Sequence, residues 1–452
     1  MSEYYENLVI KKLALMAELN DPIDPQLYNT YDVKRGLRYS DGRGVLVGLT
    51  QVGDVIGYDV VDGKKVAVPG KLLYRGYDVE ALIHDADSHD EFGFEQVIYL
   101  LLFGQLPNRA QLEEFKLYLG GRRLLPANFT EDMIMKAPSS DIMNKLARSV
   151  LASYSYDDQA EDNCVVNVLR QCIDLIARFP TFAAYAYQAK RRYYDGKSMY
   201  IHNPVPELST AENFLRLIRA DKKYTKLEAD ILDLALILHA EHGGGNNSTF
   251  SIHVVSSADT DTYSAVAAAV GSLKGKRHGG ANMRVMDMMD DIKAHLKDWE
   301  DEKEIREYLR KIIRKEAFDK TGLIYGQGHA VYTISDPRAT LLRDKAEELA
   351  REKGMMTEFN LYRIIERVAP EVFAEEKNSD KKICSNVDFF SGFVYTMLNI
   401  PRELYTPIFA ISRIAGWAAH RVEEIIAGGR IYRPAYKNVM EPRQFIPIEE
   451  RN

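Results

Sequence analysis

Residues 94–107 read FEQVIYLLLFGQLP. An apolar run of this kind, closed by Gly104 with Pro107 just beyond it, is a helix followed by its stop signal. The same helical periodicity continues from Tyr77 almost to the end of the chain. Segments are predicted at about 108–119, 141–155, 161–178, 181–194, 211–219, 226–240, 261–274, 281–296, 303–316, 339–353, 357–368, 389–398 and 403–427. Upstream, from Gly36 to Gly76, the texture differs: short apolar runs are punctuated by glycine, and Asp62-Gly63 reads as a hairpin turn. The chain is therefore mainly α, with a small β-rich segment at about 36–76.

At 452 residues the chain is long enough to split into two domains. Texture shifts near Gly279–Gly280 and near Asn399–Pro401, which predicts a large body of residues 1–279 and 400–452 and an inserted smaller one of 280–399. That division puts His329 and Asp388 on the insert, and His242, His278 and Arg413 on the main body, with a cleft between them. Hydrophobic residues make up 46% and charged residues 28%, ordinary values for a globular protein. A net charge of −7 argues against a nucleic-acid partner. Cys164, Cys172 and Cys384 are too few and too scattered for a disulfide framework or a thiolate zinc site, which fits a reducing compartment. Residues 2–20 lack the basic start, apolar core and small-residue cleavage site of a signal peptide, and no apolar stretch reaches membrane-spanning length. A cytoplasmic protein without a membrane partner is expected.

Three glycine-rich segments carry candidate chemistry. In GQGHAVYTISDPR, residues 326–338, His329 lies between small neighbours that allow close ligand approach, and Arg338 follows a DP turn with a planar fork suited to a carboxylate. In GKRHGGAN, residues 275–282, His278 sits just before a predicted helix start. The positive potential there disfavours a charged imidazolium, so a neutral ring is placed to donate to an oxygen gaining charge. In NVDFFSG, residues 386–392, Asn386 caps a helix and Asp388 reads as a general base walled by Phe389 and Phe390. Each has a plainer reading: His278 as a water-exposed turn residue, Arg338 as a surface ion-pair partner, Asp388 as a dipole-complementing side chain.

Other patterns are excluded. His239 and His242 in HAEHGGGNNS invite a metal reading, but no third ligand has convincing spacing and HExxH is absent, so no metal is expected. GSLKGKR lacks phosphate-loop spacing, and no GxGxxG supports a dinucleotide cofactor. Near the C-terminus, Arg413 follows Ser412 and Arg433 precedes Pro434. Both read either as surface cations or as partners for a substrate with two carboxylates.

Taken in order, HAEHGGGN, GKRHGGAN, GQGHAVYTISDPR, NVDFFSG and SRIAGWAAHRVEE closely resemble the citrate synthases, a family that includes the 2-methylcitrate synthases. GLRYSDGRGVLVGLTQVGDVIGY and YRGYDVEAL look like the family's opening, so the resemblance runs from about Gly36 to Pro434. It implies a two-domain, mainly helical fold and a homodimer with an active site shared between subunits. It further implies condensation of acetyl-CoA with oxaloacetate and water to citrate and CoA, as in the tricarboxylic acid cycle, with no cofactor beyond the CoA substrate. By resemblance, Asp388 removes the methyl proton, His278 stabilises the enolate, and His329 polarises the ketone. His242, Arg338 and Arg413 grip oxaloacetate, with Arg433 reaching in from the second subunit. Gly326, Ala330, Lys381 and Lys382 are candidates for CoA contact.

The chain departs from the family in places. Gln327 stands where an aromatic residue is usual. Ala330 and Thr333 replace arginine and lysine of many bacterial relatives, Lys276-Arg277 a proline-containing pair, and Cys384-Ser385 a Tyr-Pro. A 2-methylcitrate synthase using propionyl-CoA is the runner-up, since one methylene is worth only ~1–3 kcal/mol of discrimination. A silent homologue that senses dicarboxylates is a further class, against which the retained His278, His329 and Asp388 speak.

Overall fold

The computed structural model describes residues 3–40, 42–62, 64–379 and 382–451. By backbone contacts the chain divides into Met1–Leu49 and Thr50–Asn452. The first unit holds the helices Glu3–Asn20 and Gln26–Thr30, a 3-10 turn at Arg35–Leu37, and an isolated bridge between Arg38 and Gly44.

The second unit begins with the only sheet among the described residues. Strand β1 (Gly53–Val61) pairs antiparallel with β2 (Lys64–Tyr74), from Val61 opposite Lys64 to Gly53 opposite Tyr74, and β3 (Tyr77–Asp78) folds back onto β2. Asp62 has φ 51°, the left-handed conformation that a two-residue hairpin turn demands, while Gly63 lies outside the described residues. The predicted β texture from Gly36 thus becomes strand only from Gly53 onward. Among the described residues of 36–52, the glycine punctuation is present but the pairing is limited to the isolated Arg38–Gly44 bridge.

After Asp78 the regular elements of the described residues are helices, as the periodicity predicts. The helix Phe94–Phe103 stops at Gly104, which is left-handed and donates its N–H to Leu100 O at 2.8 Å. Two helices differ from expectation. Val165–Tyr193 is one continuous element where two were predicted, and it runs through Pro180. Met356–Lys377 likewise continues through Pro370, beyond the predicted end at 368. Proline costs a helix one N–H bond. At Pro180 the flanking Phe179 and Thr181 are buried too, so packing around the break outweighs the local penalty.

Among the helices absent from the predicted segments, Asn247–Ser256 bears on the site. Asn247–Ser256 starts in a polar NNST run that reads as a loop. Asn246 converts that run into a helix start by accepting the Ser248 N–H. This helix packs beside Thr262–Leu273 and against the long C-terminal helix Tyr405–Ala427.

Tyr405–Ala427 is the axis of the core, with Arg413, Trp417 and His420 fully buried on it. Gly416 donates its N–H to Ala240 O at 3.2 Å, and a Cβ there would fall on that carbonyl and on the Glu241 carboxylate. The absent side chain lets the helix lie directly against the turn after helix Lys226–His239. No described helix is long and apolar enough to cross a membrane.

Candidate active site

The turn after Lys226–His239 presents His242. Glu241, fully buried, shapes it by accepting the Gly243 N–H and a hydrogen bond from His420 Nε2 at 3.0 Å. Tyr74 of β2 ties the preceding helix end by donating to Ile237 O at 2.7 Å. Burial, then the charge of Arg338, holds His242 well below the ordinary imidazole range, so its ring is neutral. Its Nε2 is buried with no hydrogen-bond partner. His239, pulled by burial to about 3, accounts for its own Nδ1 on Ala235 O at 2.9 Å and takes no part in a ligand cluster.

His329 and Asp388 are positioned together. Gly328 N–H donates to Cys384 O at 2.7 Å, Asn386 N–H to Gly326 O at 2.9 Å, and Asn386 Nδ2 to Gly328 O at 2.9 Å. Gln327 and Ser385 form an antiparallel bridge, and the Gln327 amide donates to Ser385 Oγ at 2.8 Å. Two motifs distant in sequence are thus laced backbone to backbone. Gly326 is required for this: it has φ 79°, and a Cβ would fall on Phe389. Asn386 also caps helix Val387–Met397, accepting the Asp388 N–H at 3.0 Å, as predicted. On the other side of the loop, Gly70 of β2 donates its N–H to Ser335 Oγ at 3.2 Å, and Tyr332 OH donates to Lys71 O at 3.2 Å. The hairpin is therefore a wall behind the His329 loop.

His329 Nδ1 accepts the N–H groups of Val331 and Tyr332, both at 3.1 Å, which leaves the ring proton on Nε2. The ring stacks on Tyr332 with centroids 4.7 Å apart and meets His242 edge-on at 5.1 Å. Arg338 lies 5.7 Å from the Tyr332 ring centroid. Asp336 grips Arg338 through Nε at 3.0 Å and Nη2 at 2.8 Å, both side chains being buried. Burial opposes the guanidinium charge, and Asp336 more than restores it, so Arg338 holds its proton more firmly than usual.

Asp388 keeps some solvent contact, yet the protein packed around it raises its carboxyl to about 6. Arg338 and Arg413 pull against that burial and Asp336 reinforces it. Arg413 is fully buried, lies 4.8 Å from the Phe409 ring centroid, and donates Nε–H to His239 O at 2.6 Å. Its Nη1 and Nη2 have no hydrogen-bond partner. Burial lowers it to about 10, leaving it charged at neutral pH.

His278 completes the group. It occupies the turn between helices Thr262–Leu273 and Ala281–His295, and its Nε2 shares a 3.0 Å hydrogen bond with Ser248 Oγ. Ser248 also accepts the Trp417 indole N–H at 3.1 Å. Burial, then Arg413, lowers His278 to about 4, so this ring is neutral too. Its centroid is 6.3 Å from that of Phe409, the ring that also carries Arg413.

Six of the sequence-predicted residues, His242, His278, His329, Arg338, Asp388 and Arg413, therefore share one electrostatic neighbourhood. The structure does not bring Arg433 into it. Arg433 is exposed beyond Gly428, next to Tyr432, whose N–H bonds Ser257 Oγ at 3.1 Å. Gly326 is buried, Ala330 and Lys382 are exposed, and Lys381 lies outside the described residues. Asp336, Tyr332, Phe409, Ser248, Trp417 and Glu241 were not singled out from sequence. Only Asp336, in the DP turn beside Arg338, left a readable signal. Two surface cavities of about 340 and 620 Å³ contain none of these residues. Unpartnered buried donors mark the site better than concavity does. An oxygen-rich anion matches the Arg413 nitrogens and a neutral histidine donor, and beside it stands a carboxylate made basic by its surroundings.

A family model described as citrate synthase, C-terminal domain, matches residues 38–435. The citrate synthase of Haloferax volcanii is 35% identical over 425 residues, covering 93% of this chain and 99% of that protein. The 2-methylcitrate synthase of Shewanella oneidensis is 36% identical over 397 residues, covering 85% of this chain and 94% of that protein. Among solved structures, citrate synthase from Thermoplasma acidophilum in a ternary complex with carboxymethyl coenzyme A and oxaloacetate aligns with TM-score 0.74 at 26% identity, covering 93% of this chain and 99% of that one.

Asp336 is the buried counter-charge of Arg338, and removing one partner of such a pair strands the other. Asp336→Ala is expected to destabilise the protein by about 3–5 kcal/mol, read as a lower urea midpoint. A change under about 1 kcal/mol would mean that Arg338 is not held by this carboxylate.

Proposed function

The chain belongs to the citrate synthase family of acyl-transferring condensing enzymes, and on that premise we propose that it joins acetyl-CoA to oxaloacetate and water, giving citrate and CoA. The observation that carries the reading is the juxtaposition of Asp388, raised to about 6, with the buried guanidinium of Arg413, whose Nη1 and Nη2 lack hydrogen-bond partners.

Oxaloacetate fits the donors. Its carboxylates go to Arg338 and Arg413, with Arg433 of a second subunit in a homodimer, and its ketone oxygen takes hydrogen bonds from His329 and His242. Asp388 removes a proton from the acetyl methyl group while His278, neutral, donates to the thioester oxygen as charge moves onto it. The enol carbon attacks the polarised ketone, and the alkoxide takes its proton from His329. Water then cleaves citryl-CoA to citrate and free CoA. A neutral His278 matters here, because an imidazolium beside Arg413 would be costly, whereas a neutral donor gains strength only as the oxygen becomes negative. Residues 280–399 form the body that closes over the substrates, and Gly326, Ala330, Lys381 and Lys382 lie on the segments assigned to CoA. The compartment is the cytoplasm.

A second reading, propionyl-CoA in place of acetyl-CoA, is favoured by the likeness to the Shewanella oneidensis 2-methylcitrate synthase, at 36% identity. The two acyl groups differ by one methylene, ~1–3 kcal/mol or 10–200-fold in kcat/KM. Oxaloacetate-dependent thiol release measured side by side with the two thioesters is expected to favour acetyl-CoA. Reversed preference selects the second reading, and no release with either overturns both.

Asp388→Asn is expected to lower kcat by roughly 10³-fold, while calorimetry shows oxaloacetate binding within a few-fold of the parent. Retained turnover removes Asp388 as the base. The acid limb of kcat/KM is expected near pH 6, because the base must be ionised and its carboxyl is raised to about 6, so activity falls as pH drops through that value. His278, lowered to about 4, stays neutral throughout and adds no limb there. A limb that persists unchanged in Asp388→Glu would assign it to another group.

A further inference from the structure

Behind the His242 turn lies a second cluster that the condensation does not use. His253, on helix Asn247–Ser256, faces His420 and Glu423 on helix Tyr405–Ala427. One ligand atom from each lies within 4.8 Å of the others. We propose that these three side chains form a binding site for a divalent transition metal of the zinc class, with His253 Nε2, His420 Nδ1 and Glu423 Oε2 as ligands.

The spacing suits the ion. His253 Nε2 is 3.0 Å from His420 Nδ1, and His420 Nδ1 is 3.7 Å from Glu423 Oε2. Ligands about 2.0–2.1 Å from a tetrahedral centre stand roughly 3.3 Å from one another, so small adjustments seat it. Thr50 Oγ, 3.5 Å from His420 Nδ1, stands beside the fourth position.

The surroundings orient the ligands. His253 Nδ1 bonds Glu424 Oε2 at 2.8 Å, and His420 Nε2 bonds Glu241 Oε1 at 3.0 Å. With each carboxylate accepting the N–H of its ring, a bound ion would displace any proton between the facing nitrogens and take their two lone pairs. This is the carboxylate–histidine–metal arrangement, built twice. The 3.0 Å between the facing nitrogens holds either one shared proton or a metal ion, and only the ion also engages Glu423. Glu423 Oε1 accepts the Gln51 N–H at 2.7 Å, while its Oε2 is buried with no hydrogen-bond partner. An ion satisfies both nitrogens and that oxygen together. The side chains of His420 and Glu241 are fully buried, and those of His253 and Glu424 nearly so.

Sequence spacing hides this site, because His253 and His420 are 167 residues apart. The cluster is linked to the His242 turn through Glu241, which also holds the Gly243 N–H.

The test uses the full chain, stripped with EDTA, dialysed and titrated with Zn²⁺ alone. The expected result is one Zn²⁺ per chain by metal analysis with a raised thermal midpoint. Co²⁺ in its place should give the visible bands of a tetrahedral nitrogen–oxygen site without thiolate charge transfer. Glu423→Gln and His253→Gln are expected to weaken Zn²⁺ binding by 100-fold or more, and Glu424→Gln by ~10–100-fold. His295→Gln, at an exposed histidine elsewhere, should bind as the parent does. Failure of the stripped parent to take up one equivalent overturns the site. So does unchanged binding in Glu423→Gln, or a thiolate band with Co²⁺. Should His253→Gln fail to fold by circular dichroism, Glu423→Gln, which keeps its shape and its acceptor for the Gln51 N–H, decides the question.

Discussion

A guanidinium buried without a full set of partners organises this molecule. Arg413 is fully buried on the long C-terminal helix, held by one hydrogen bond to His239 O and by the face of Phe409. Burying such a charge costs several kcal/mol unless its donors are used. Its field reaches several groups of the site. After burial itself, Arg413 is among the charges that press His239, His242 and His278 toward neutrality and that draw Asp388 back down. It also steadies Glu241 as an anion, together with His420. Burial first, with Arg338 and Arg413 adding to it at His239 and His242 and Arg413 alone adding to it at His278, keeps these three imidazoles neutral. The same field explains why Glu241 lies beneath the His242 turn: a buried anion there compensates the arginine and shapes the loop.

The parts legible from sequence were those with local signatures. Gly104 and Pro107 marked a helix end because C-terminal caps depend on residues a few positions away. Asn386 could be read as a cap for the same reason. His278, His329 and Asp388 stood out for their glycine neighbours or helix start, although plainer structural readings stayed open for His278 and Asp388. What escaped was set by partners far along the chain. Ser248 orients His278 from a helix whose NNST start looked like a loop, and Trp417 holds Ser248 from the far side. No periodicity reports such a relay. Pro180 misled for the opposite reason: its local penalty is real, but burial along the whole element Val165–Tyr193 exceeds it.

The departures from the family pattern are also not independent. Gln327 and Ser385 were noted separately, one replacing an aromatic residue and the other part of a Tyr-Pro pair. In the structure they face each other across an antiparallel bridge, and the amide of one donates to the hydroxyl of the other. A side-chain hydrogen bond here performs the fastening between the His329 and Asp388 segments, so the two changes read as one exchange of packing for polar contact. The backbone lacing around them, through Gly326, Gly328, Cys384 and Asn386, is indifferent to side-chain identity.

This lacing has a thermodynamic reason. Asp388, with its carboxyl raised to about 6, binds its proton more tightly folded than unfolded. Its contribution to stability is therefore present below the unfolded value near 3.8 and is lost as pH rises through about 6. At neutral pH the ionised carboxylate strains the fold by at most about 3 kcal/mol. A carboxylate placed on a loose loop would relieve that strain by turning toward water and would cease to be basic. The Asn386 cap, the bridge to residues 326–328, and the Phe389 ring seated against Gly326 deny it that escape. Basicity at Asp388 is thus a property of the backbone that confines it. The Arg338–Asp336 pair nearby supplies a fixed, self-compensated charge rather than a second mobile one. Rigidity here keeps a proton acceptor poised near neutrality.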